Sequence, residues 1–300
     1  MHLFVINPRS GNGNGLKVWS MVERECKKQQ IAYEAYLSQD AESASVRVKQ
    51  HLSQYEHAVI VVIGGDGTIH QLLPIIVQHG GILAVIPAGS GNDTARGFGI
   101  PMNPLRALRT IMNGNIKHVD MMQSHEHGEW TLTALATGFD SAVADVVNRS
   151  FYKRWCNRLK LGSVAYLIGI IHTLFTFKPT TMTVHIDDET FTYDRIWLAA
   201  ISNVNSYGGG IRICPEARAD DGLLDICLVH GCNRFTLLRL LPTVFTGKHV
   251  HLPQVVLKRG KKIRVQPGHS VLTIGDGEPV GSGMFEAELH PKHIRMCVPQ

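Results

Sequence analysis

The sequence has little of what marks several specialised classes of protein. It has six cysteines in 300 residues and no C-x-x-C pair, too few for a disulfide scaffold. Charged residues make up 18%, and a net charge of +5 does not by itself argue for a nucleic-acid partner. There is no low-complexity tract and no repeat of about 20–50 residues. The most apolar stretch, residues 161–177, is only about 17 residues long and is interrupted by glycine, serine and histidine, so it predicts a buried or membrane-facing helix and not a membrane span.

What remains is a chain of ordinary globular composition. Apolar residues make up 44% of the 300, which is enough for two domains with a sizeable core. The first eight residues lack a basic region and a cleavage site, so they predict a β-strand and not a signal peptide. Sparse cysteines without a pairing pattern favour reduced thiols, and we expect a cytoplasmic protein.

The first part of the chain, residues 1–118, alternates strand-like and helix-like runs. Residues 59–63 form a continuous β-branched run, which is typical of a strand buried on both faces of a parallel sheet. Four predicted strands alternate with three predicted helices, and this order predicts right-handed crossovers. We therefore expect an α/β nucleotide-binding domain with a parallel sheet flanked by helices.

The second part, residues 119–300, has a different pattern. Short runs with period-two alternation and turn residues between them predict strands, and helical spacing is limited to residues 141–177 and 233–245. This predicts a mainly antiparallel β-sandwich or barrel with helical insertions. Residues 113–117 contain no long flexible linker, so we expect the two domains to pack around a cleft.

Three glycine-rich turns each follow a predicted strand of the first domain: residues 7–11, 64–68 and 87–93. Ligands of parallel sheets bind outside the carboxyl ends of the strands, and glycine lets backbone N–H groups approach phosphate oxygens. A single such turn is equally well explained as a tight connection. Three turns at one sheet edge, two of them containing aspartate, favour a nucleoside polyphosphate with a cation such as Mg²⁺.

Two common nucleotide-binding patterns are not present. No G-x-x-x-x-G-K-[ST] occurs, which excludes a P-loop NTPase. Residues 11–15 begin like G-x-G-x-x-G, but residue 16 is leucine, and the second strand ends at Leu37 and Ser38 without a ribose-binding acid. A dinucleotide site is therefore only weakly indicated.

The second domain contains two further candidates. Residues 215–225 place adjacent carboxylates beside glycine, which suits a hard cation but also suits a polar turn before a strand. Near the end of the chain, Asp276-Gly277-Glu278 lies between two predicted strands. Asp-Gly is a strong hairpin signal, and a glutamate on such a turn is alternatively placed to act as a general base.

Taken in order, these motifs resemble the bacterial soluble diacylglycerol kinases and related lipid kinases, whose catalytic domain is shared with eukaryotic diacylglycerol and sphingosine kinases. The resemblance covers nearly the whole chain and depends on the joint order of the motifs. They are Asn7-Pro-x-Ser-Gly11, Gly64-Gly-Asp-Gly-Thr68, Pro87-x-Gly-Ser-Gly-Asn-Asp93, Val119-Asp120, Gly208-Gly-Gly210, Asp220-Asp-Gly-Leu-Leu-Asp225 and Asp276-Gly-Glu278.

The resemblance implies an ATP cleft between an α/β domain and a β-sandwich, and it implies roles for individual residues. Glu278 would be the general base for the lipid hydroxyl, and Asp66 would join it in catalysis. Asp66, Asp93 and Asp120 would organise the catalytic Mg²⁺, largely through waters. A structural Mg²⁺ would be held by Asp221 with the carbonyls of Arg218 and Leu223. The implied ATP contacts are Asn7, Pro8, Arg9, Ser10, Gly11, Ser38, Gly65, Asp66, Gly67, Thr68, Ile69, His70, Gln71 and Ser90.

Two positions depart from the family pattern. Gln71 stands where glutamate is usual, and Ser90 stands where threonine is more common. Glutamine keeps a hydrogen-bonding group but loses a charge, and serine keeps the hydroxyl. Neither change removes a reactive group, so we expect activity; the affinity for the nucleotide is the property that these two positions leave open.

The predicted function is ATP- and Mg²⁺-dependent phosphorylation of a membrane lipid hydroxyl, with diacylglycerol as the expected acceptor. A sphingoid base or phosphatidylglycerol is an alternative acceptor, and a non-catalytic nucleotide-binding regulator is an alternative of another class. We expect peripheral membrane contact, no nucleic-acid partner, and a homodimer as one option for the assembly.

Two basic clusters and a set of histidines bear on these partners. The clusters are candidates for contact with anionic lipid, although a solvated face explains each of them too. They comprise Arg149, Lys153, Arg154, Arg158 and Lys160, and then Lys258, Arg259, Lys261, Lys262 and Arg264. The short-spaced pairs His125/His127 and His249/His251 lack a third ligand nearby, so solvated histidines are favoured over a metal site.

Overall fold

A computed structural model describes residues 1–124, 128–150 and 162–300 of the chain. The first part alternates strands and helices as the sequence predicts. Its elements are β1 (His2–Ile6), α1 (Ser10–Lys28), β2 (Tyr33–Leu37), α2 (Ala41–Gln54), β3 (Val59–Gly64), α3 (Asp66–Gln78), β4 (Ile82–Pro87), α4 (Asp93–Gly97) and α5 (Pro104–Met112).

The described remainder is mostly strand. Its elements are β5 (Ile116–Ser124), β6 (Trp130–Thr131), β7 (Ala134–Gly138), α6 (Phe139–Arg149), α7 (Gly162–Thr176), β8 (Thr180–Ile186), β9 (Glu189–Ile196), β10 (Leu198–Ser202), β11 (Leu224–Val229), α8 (Arg234–Leu240), two 3₁₀ turns (Leu241–Phe245 and Lys248–His251), β12 (Val255–Gly260), β13 (Lys262–Pro267), β14 (Leu272–Gly275), β15 (Glu278–Ser282) and β16 (Phe285–Cys297).

A parallel sheet of four strands organises the first part, in the order β2-β1-β3-β4. Strands β1 and β3 are buried on both faces because helices cover the sheet on each side, and residues 3–6 and 60–63 are fully buried. This is why both strands are continuous apolar runs. The predicted α/β fold with a parallel sheet is confirmed.

The second part forms the predicted antiparallel sandwich. One of its layers is the sheet β12-β11-β10-β7-β14-β15. The other layer is formed by β13, β8 and β9, which continue the first sheet through β16. Ile201 and Ile226 from one layer pack with Val184 and Ile263 from the other in a single apolar core. On the opposite face of β10 and β11, Ala200 and Cys227 share a core with α6 and α8.

The last long strand joins the two parts of the molecule. β16 pairs parallel with β4 and antiparallel with β5 and β13. Strand β5 crosses the predicted boundary at residue 118. The division into domains 1–118 and 119–300 stays a prediction. No helix in the described ranges is long and apolar enough to cross a membrane.

Some elements were not predicted from the sequence. The apolar patterns do not predict β9 or β12, because charged residues interrupt them: Glu189 and Asp194 in β9, and Lys258 and Arg259 in β12. Within the predicted helical region 141–177, α6 and α7 are described, and residues 151–161 lie outside the described part of the chain.

Candidate active site

The carboxyl ends of the four parallel strands lie level with one another. Ile6 pairs in register with both Leu37 and Ile63, and Gly64 pairs with Pro87. The residues that follow each strand therefore share one edge of the sheet. The chain order reverses between β1 and β3, and such a switch point is where open α/β sheets bind ligands.

The first turn, residues 7–15, is shaped by consecutive left-handed residues. Gly11, Asn12 and Gly13 have φ of 55°, 57° and 88°. A Cβ on Gly11 would lie 2.3 Å from the carbonyl oxygen of Ala88, so only glycine fits this close approach. Asn7 closes the turn, since its Oδ1 accepts the Arg9 N–H at 3.0 Å.

The three turns touch each other. The Asn7 Nδ2 donates to Thr68 Oγ1 at 2.8 Å, which links the first turn to the second. A Cβ on Gly89 would lie 2.5 Å from the Cα of Gly65, which links the second to the third. The side chain of Asn92, itself left-handed, bonds the N–H and carbonyl of Gly89 at 2.8 and 3.0 Å. The turns thus form one continuous backbone-lined surface of the kind that accepts phosphates.

Two carboxylates lie beside this surface. Asp66 Oδ1 accepts the Thr94 N–H at 2.9 Å. A Cβ on Gly91 would lie 3.3 Å from Asp66 Oδ2 and 3.5 Å from Asp93 Oδ2, so both carboxylates border the same glycine. Burial and the neighbouring Asp66 raise the pKa of Asp93 to about 6. Two repelling carboxylates beside these backbone-lined turns are a donor set that suits a divalent cation.

Asp93 also connects the two halves of the molecule. Its two oxygens accept the N–H groups of Gly208 and Gly209 at 2.8 and 2.7 Å. The neighbouring Tyr207 donates its hydroxyl to Asp140 at 2.5 Å, at the start of α6. Burial raises the pKa of the Asp140 carboxyl. The Tyr207–Asp140 contact had no signal in the sequence, because each residue lies in an unremarkable local pattern.

Glu278 lies at a two-residue hairpin between β14 and β15. Asp276 and Gly277 at its tip have φ of 49° and 86°, and Gly275 pairs with Glu278. The Glu278 carboxylate faces α3, because a Cβ on Gly67 would lie 2.7 Å from its Oε1. Asp276 and Gly277 therefore form the hairpin that the sequence indicates. The same hairpin presents the exposed Glu278 carboxylate to the glycine-rich turns.

The hairpin is held by its aspartate. Asp276 is buried and accepts the N–H groups of Leu132 and Thr133 at 2.9 and 2.8 Å, together with the Thr133 hydroxyl at 2.5 Å. His70 Nδ1 lies 3.9 Å from Asp276 Oδ2, an ion-pair distance too long for a hydrogen bond. Asp276, and more weakly Glu278, raise the pKa of His70. The structure thus places this predicted ATP contact against the hairpin.

Asp120 is not grouped with Asp66 and Asp93 by any contact of its carboxylate. It is buried, and its two oxygens accept the N–H groups of Lys292 and Gly222 at 2.7 and 2.9 Å. Asp120 therefore ties β5 to β16 and to the loop before β11. Its predicted role toward Mg²⁺ stays a prediction.

The predicted structural metal site contains Arg259, which the sequence assigned to a basic cluster and not to this site. Asp221 accepts the Leu223 N–H at 3.1 Å and lies 3.6 Å from Arg259, which also bonds Asp225 at 2.8 Å. Arg218 pairs with Asp220 at 3.1 Å. Within the described ranges no group of three or more His, Cys, Asp or Glu side chains is arranged to hold a metal ion. The site at Asp221, Arg218 and Leu223 stays a prediction.

Several residues of the two basic clusters are paired with carboxylates. In the second cluster, Arg264 pairs with Glu286, Lys262 with Glu286 and Glu288, and Lys258 lies 3.6 Å over the Phe191 ring. In the first, Arg149 pairs with Asp145, and Lys153, Arg154, Arg158 and Lys160 lie outside the described residues. His249 is buried and bonds the Ile213 carbonyl oxygen at 2.9 Å, whereas His251 is exposed. His125 and His127 lie outside the described residues.

Comparison with known proteins agrees with this geometry. The model of the diacylglycerol kinase catalytic domain matches residues 1–124, and that of the YegS C-terminal NAD kinase beta sandwich-like domain matches residues 133–298. A diacylglycerol kinase of Mycobacterium tuberculosis is 34% identical over 275 residues, 90% of this chain and 86% of that protein. A diacylglycerol kinase of Bacillus subtilis is 25% identical over 249 residues, 82% and 79% of the two chains.

Solved structures show the same fold. Two crystal structures from Bacillus anthracis, one of them named as a diacylglycerol kinase, superpose with TM-scores of 0.80 and 0.72. Their sequence identities to this chain are 22% and 18%, and each comparison covers 99% of this chain and 96% of the other.

Proposed function

Because this chain belongs to the diacylglycerol kinase family of lipid kinases, which are phosphotransferases with an alcohol group as acceptor, we propose that it phosphorylates the hydroxyl of diacylglycerol. The family implies ATP as the phosphoryl donor. The observation that carries the proposal is the approach of Glu278 to Gly67, since it brings a free carboxylate from the second half of the chain to the glycine-rich turns of the first.

ATP binds, in this proposal, with its phosphates against the three turns. Within the predicted ATP contacts at Asn7–Gly11 and Gly65–Gln71, the backbone N–H groups without a partner in the described part of the chain are those of Gly11 and of Gly65 to Gly67 at the start of α3. Ser90 supplies a hydroxyl at the same sheet edge, and Ser38, whose hydroxyl donates to the Asp40 carbonyl oxygen at 2.8 Å, lies there too. These groups orient the γ-phosphate toward the cleft below the hairpin. Phosphoryl transfer depends mainly on such positioning and on neutralisation of developing charge.

Mg²⁺ fits the residues present. Asp66 and Asp93 border one glycine and repel each other, and a divalent cation relieves that repulsion. When bound, Mg²⁺ neutralises charge on the phosphate oxygens. The Gly208 and Gly209 amides fix the Asp93 carboxylate, and Thr94 fixes Asp66, so the chain itself holds both donors in place.

Glu278 acts as the general base. The lipid hydroxyl oxygen forms a bond to the γ-phosphorus while the bond from that phosphorus to the β,γ-bridging oxygen breaks, ADP leaves, and the hydroxyl proton passes to the Glu278 carboxylate. Asp276 anchors the hairpin through three hydrogen bonds, which fixes the backbone that carries Glu278 beside α3.

The acceptor and the mode of action are open to direct test. Phosphatidylglycerol and sphingoid bases carry comparable hydroxyls, and a regulator that only binds nucleotide would retain the turns without transfer. Asp66, Asp93 and Glu278 all being present supports catalysis over regulation.

The test is transfer of labelled γ-phosphate to a panel of purified lipids, with Mg²⁺ or EDTA. We expect phosphatidic acid from diacylglycerol, only with Mg²⁺, and a loss of about 10²–10⁴-fold in kcat for Glu278→Gln with nucleotide binding retained. Exposed Glu189→Gln is the matched control and should leave kcat unchanged. Nucleotide binding without transfer to any lipid would establish the regulator instead.

A further inference from the structure

Two long stretches of the second half contain no acidic residue. Residues 146–186 carry six lysines and arginines, and residues 226–275 carry eight, so fourteen of the thirty basic residues lie where the local sequence has no carboxylate. Both stretches lie in the sandwich half. This asymmetry is much stronger than the net charge of +5 suggests.

The same stretches present a large apolar surface to solvent. On α7, Leu167, Ile168, Ile171 and Phe175 are exposed, with Phe175 at 65%. Their spacing places them on one side of the helix. The opposite side of α7 is packed instead, since Gly169 lies against Val147 of α6. Helix α7 therefore has apolar side chains on its outer side as well as on its inner side, and His172 and Thr176 are exposed polar residues of the same helix.

A second helix extends this surface. On α8, Phe235 is 75% exposed and Leu238 is also exposed, and Phe245 is exposed on the 3₁₀ turn that follows. Arg234 joins the two helices, because its Nε donates to the Leu174 carbonyl oxygen at 2.8 Å at the end of α7. We call the exposed side chains of Leu167, Ile168, Ile171, Phe175, Phe235, Leu238 and Phe245 the α7–α8 face.

Unpaired cations border the α7–α8 face. Arg239 is exposed on α8 and Lys248 is exposed on the second 3₁₀ turn. Neither forms a salt bridge with any carboxylate in the described part of the chain. In the basic cluster Lys258–Arg264, by contrast, Arg259, Lys262 and Arg264 are paired with aspartate or glutamate.

The α7–α8 face is connected to the candidate active site through one helix. Asp93 bonds Gly208 and Gly209, and Tyr207 bonds Asp140 at the start of α6. Helix α7 packs along α6. A molecule that rests on the α7–α8 face thus lies on the element next to the cleft.

We propose that the α7–α8 face docks this enzyme on an anionic lipid membrane. Phenylalanine and leucine side chains enter the region between headgroups and acyl chains, and flanking arginine and lysine bind anionic headgroups. The two stretches that carry this face contain no acidic residue, which favours an anionic membrane over a protein interface of mixed charge, because no carboxylate from these stretches is repelled by the bilayer. The proposal depends on the proposed function, since a membrane-embedded acceptor is what requires docking beside the cleft.

The experiment measures sedimentation of the full chain with vesicles of phosphatidylcholine alone or mixed with phosphatidylglycerol. We expect binding to the mixed vesicles, weakened by salt, and a loss of about tenfold or more in the double variant F175E/F235E. The matched control is M21E/L105E, which places the same charges on exposed apolar positions of α1 and α5 and should bind like wild type. The charge-reversed variant R239E/K248E should also lose binding.

Each outcome has a defined meaning. Unfolding midpoints of all variants check that the fold is kept, and activity on a short-chain diacylglycerol dispersed as monomers should be retained by F175E/F235E. If F175E/F235E loses vesicle binding but the wild-type protein has no kinase activity, the proposed function is refuted and the docking face is supported. Wild-type-like vesicle binding by both F175E/F235E and R239E/K248E would overturn the proposal. Dissociation of a dimer by F175E/F235E with unchanged vesicle binding would show a protein interface instead and would also overturn it.

Discussion

Replacing Gly67 with alanine should separate catalysis from stability in this protein. Gly67 is the second residue of α3, and its backbone has ordinary helical geometry. An added Cβ meets only one close neighbour, Glu278 Oε1 at 2.7 Å. That oxygen is the far end of a flexible, exposed side chain, so it moves aside at little cost to the fold.

The magnitude follows from this contact. Ordinary van der Waals separation begins near 3.4 Å, so the carboxylate must retreat by about 0.7 Å. A misplacement of about 1 Å in a reacting group costs about 10²-fold in rate, and we expect kcat to fall by about 30- to 100-fold, or about 2–3 kcal/mol in activation free energy. The free energy of unfolding should stay unchanged or rise by up to about 1 kcal/mol, because alanine is favoured over glycine in a helix.

The assay compares kcat, KM for ATP and urea unfolding for Gly67→Ala, Glu278→Gln and the double variant. KM for ATP should change little, since alanine keeps the backbone N–H. The double variant should be no slower than Glu278→Gln alone, because the alanine acts only through that carboxylate. Gly80→Ala is the contrasting control: its φ of +61° makes alanine strained, by about 1 kcal/mol, but nothing lies within 4 Å and kcat should be kept.

A Gly67→Ala enzyme with wild-type kcat would refute the placement of Glu278 as the base. If Gly67→Ala lowers the free energy of unfolding by as much as it raises the activation free energy, the added Cβ disturbs more than the Glu278 carboxylate. That result would refute the assignment of Glu278 as the one group that limits residue 67. A further loss of rate in the double variant would show that Gly67 acts on the nucleotide.

Three other perturbations test the site. Arg259→Ala leaves the buried carboxylate of Asp225 without its cation and should lower the free energy of unfolding by about 2–4 kcal/mol, measured with urea. The pKa of Asp93 is raised to about 6, so the folded chain binds a proton on this carboxyl more tightly than the unfolded chain does. In EDTA, proton binding to Asp93 therefore stabilises the fold below about pH 4. This stabilisation, up to about 3 kcal/mol, is lost as the pH rises through 6. Thermal melts should show that loss, and Asp93→Asn should flatten it; a wild-type profile flat between pH 4 and 6.5 would contradict the reasoning. Asp276 raises the pKa of His70, so this pair stabilises the fold below about pH 6.5 and the stabilisation is lost as the pH rises above it; His70→Asn should remove that loss in thermal melts, and a His70→Asn profile equal to wild type would contradict the contact.

The sequence was informative where chemistry follows local chain order. Parallel strands bring their carboxyl ends to one edge, so the turns after β1, β3 and β4 could be placed together from the alternation of strand and helix alone. The Asp-Gly dipeptide likewise predicted the hairpin at residue 276, because both tip residues need positive φ.

The structure decided every contact between distant parts of the chain. Glu278 meets Gly67, Asp93 bonds Gly208, and Arg259 bonds Asp225, yet no local pattern marks these partners. Asp120 illustrates the limit: its family motif suggests a cation, a role that stays a prediction, and only the structure shows that its carboxylate accepts the N–H groups of Gly222 and Lys292.

The amino-acid sequence by itself therefore determined the two kinds of sheet, the glycine-rich turns and the residue types available for phosphoryl transfer, because hydrophobic period and backbone freedom are properties of neighbouring residues. Only the tertiary structure decided which carboxylate faces the turns and which apolar side chains of α7 and α8 stay outside the core. Those outcomes depend on how the strands β14 to β16 and the helices α6 to α8 pack, and packing is set by residues far apart along the chain.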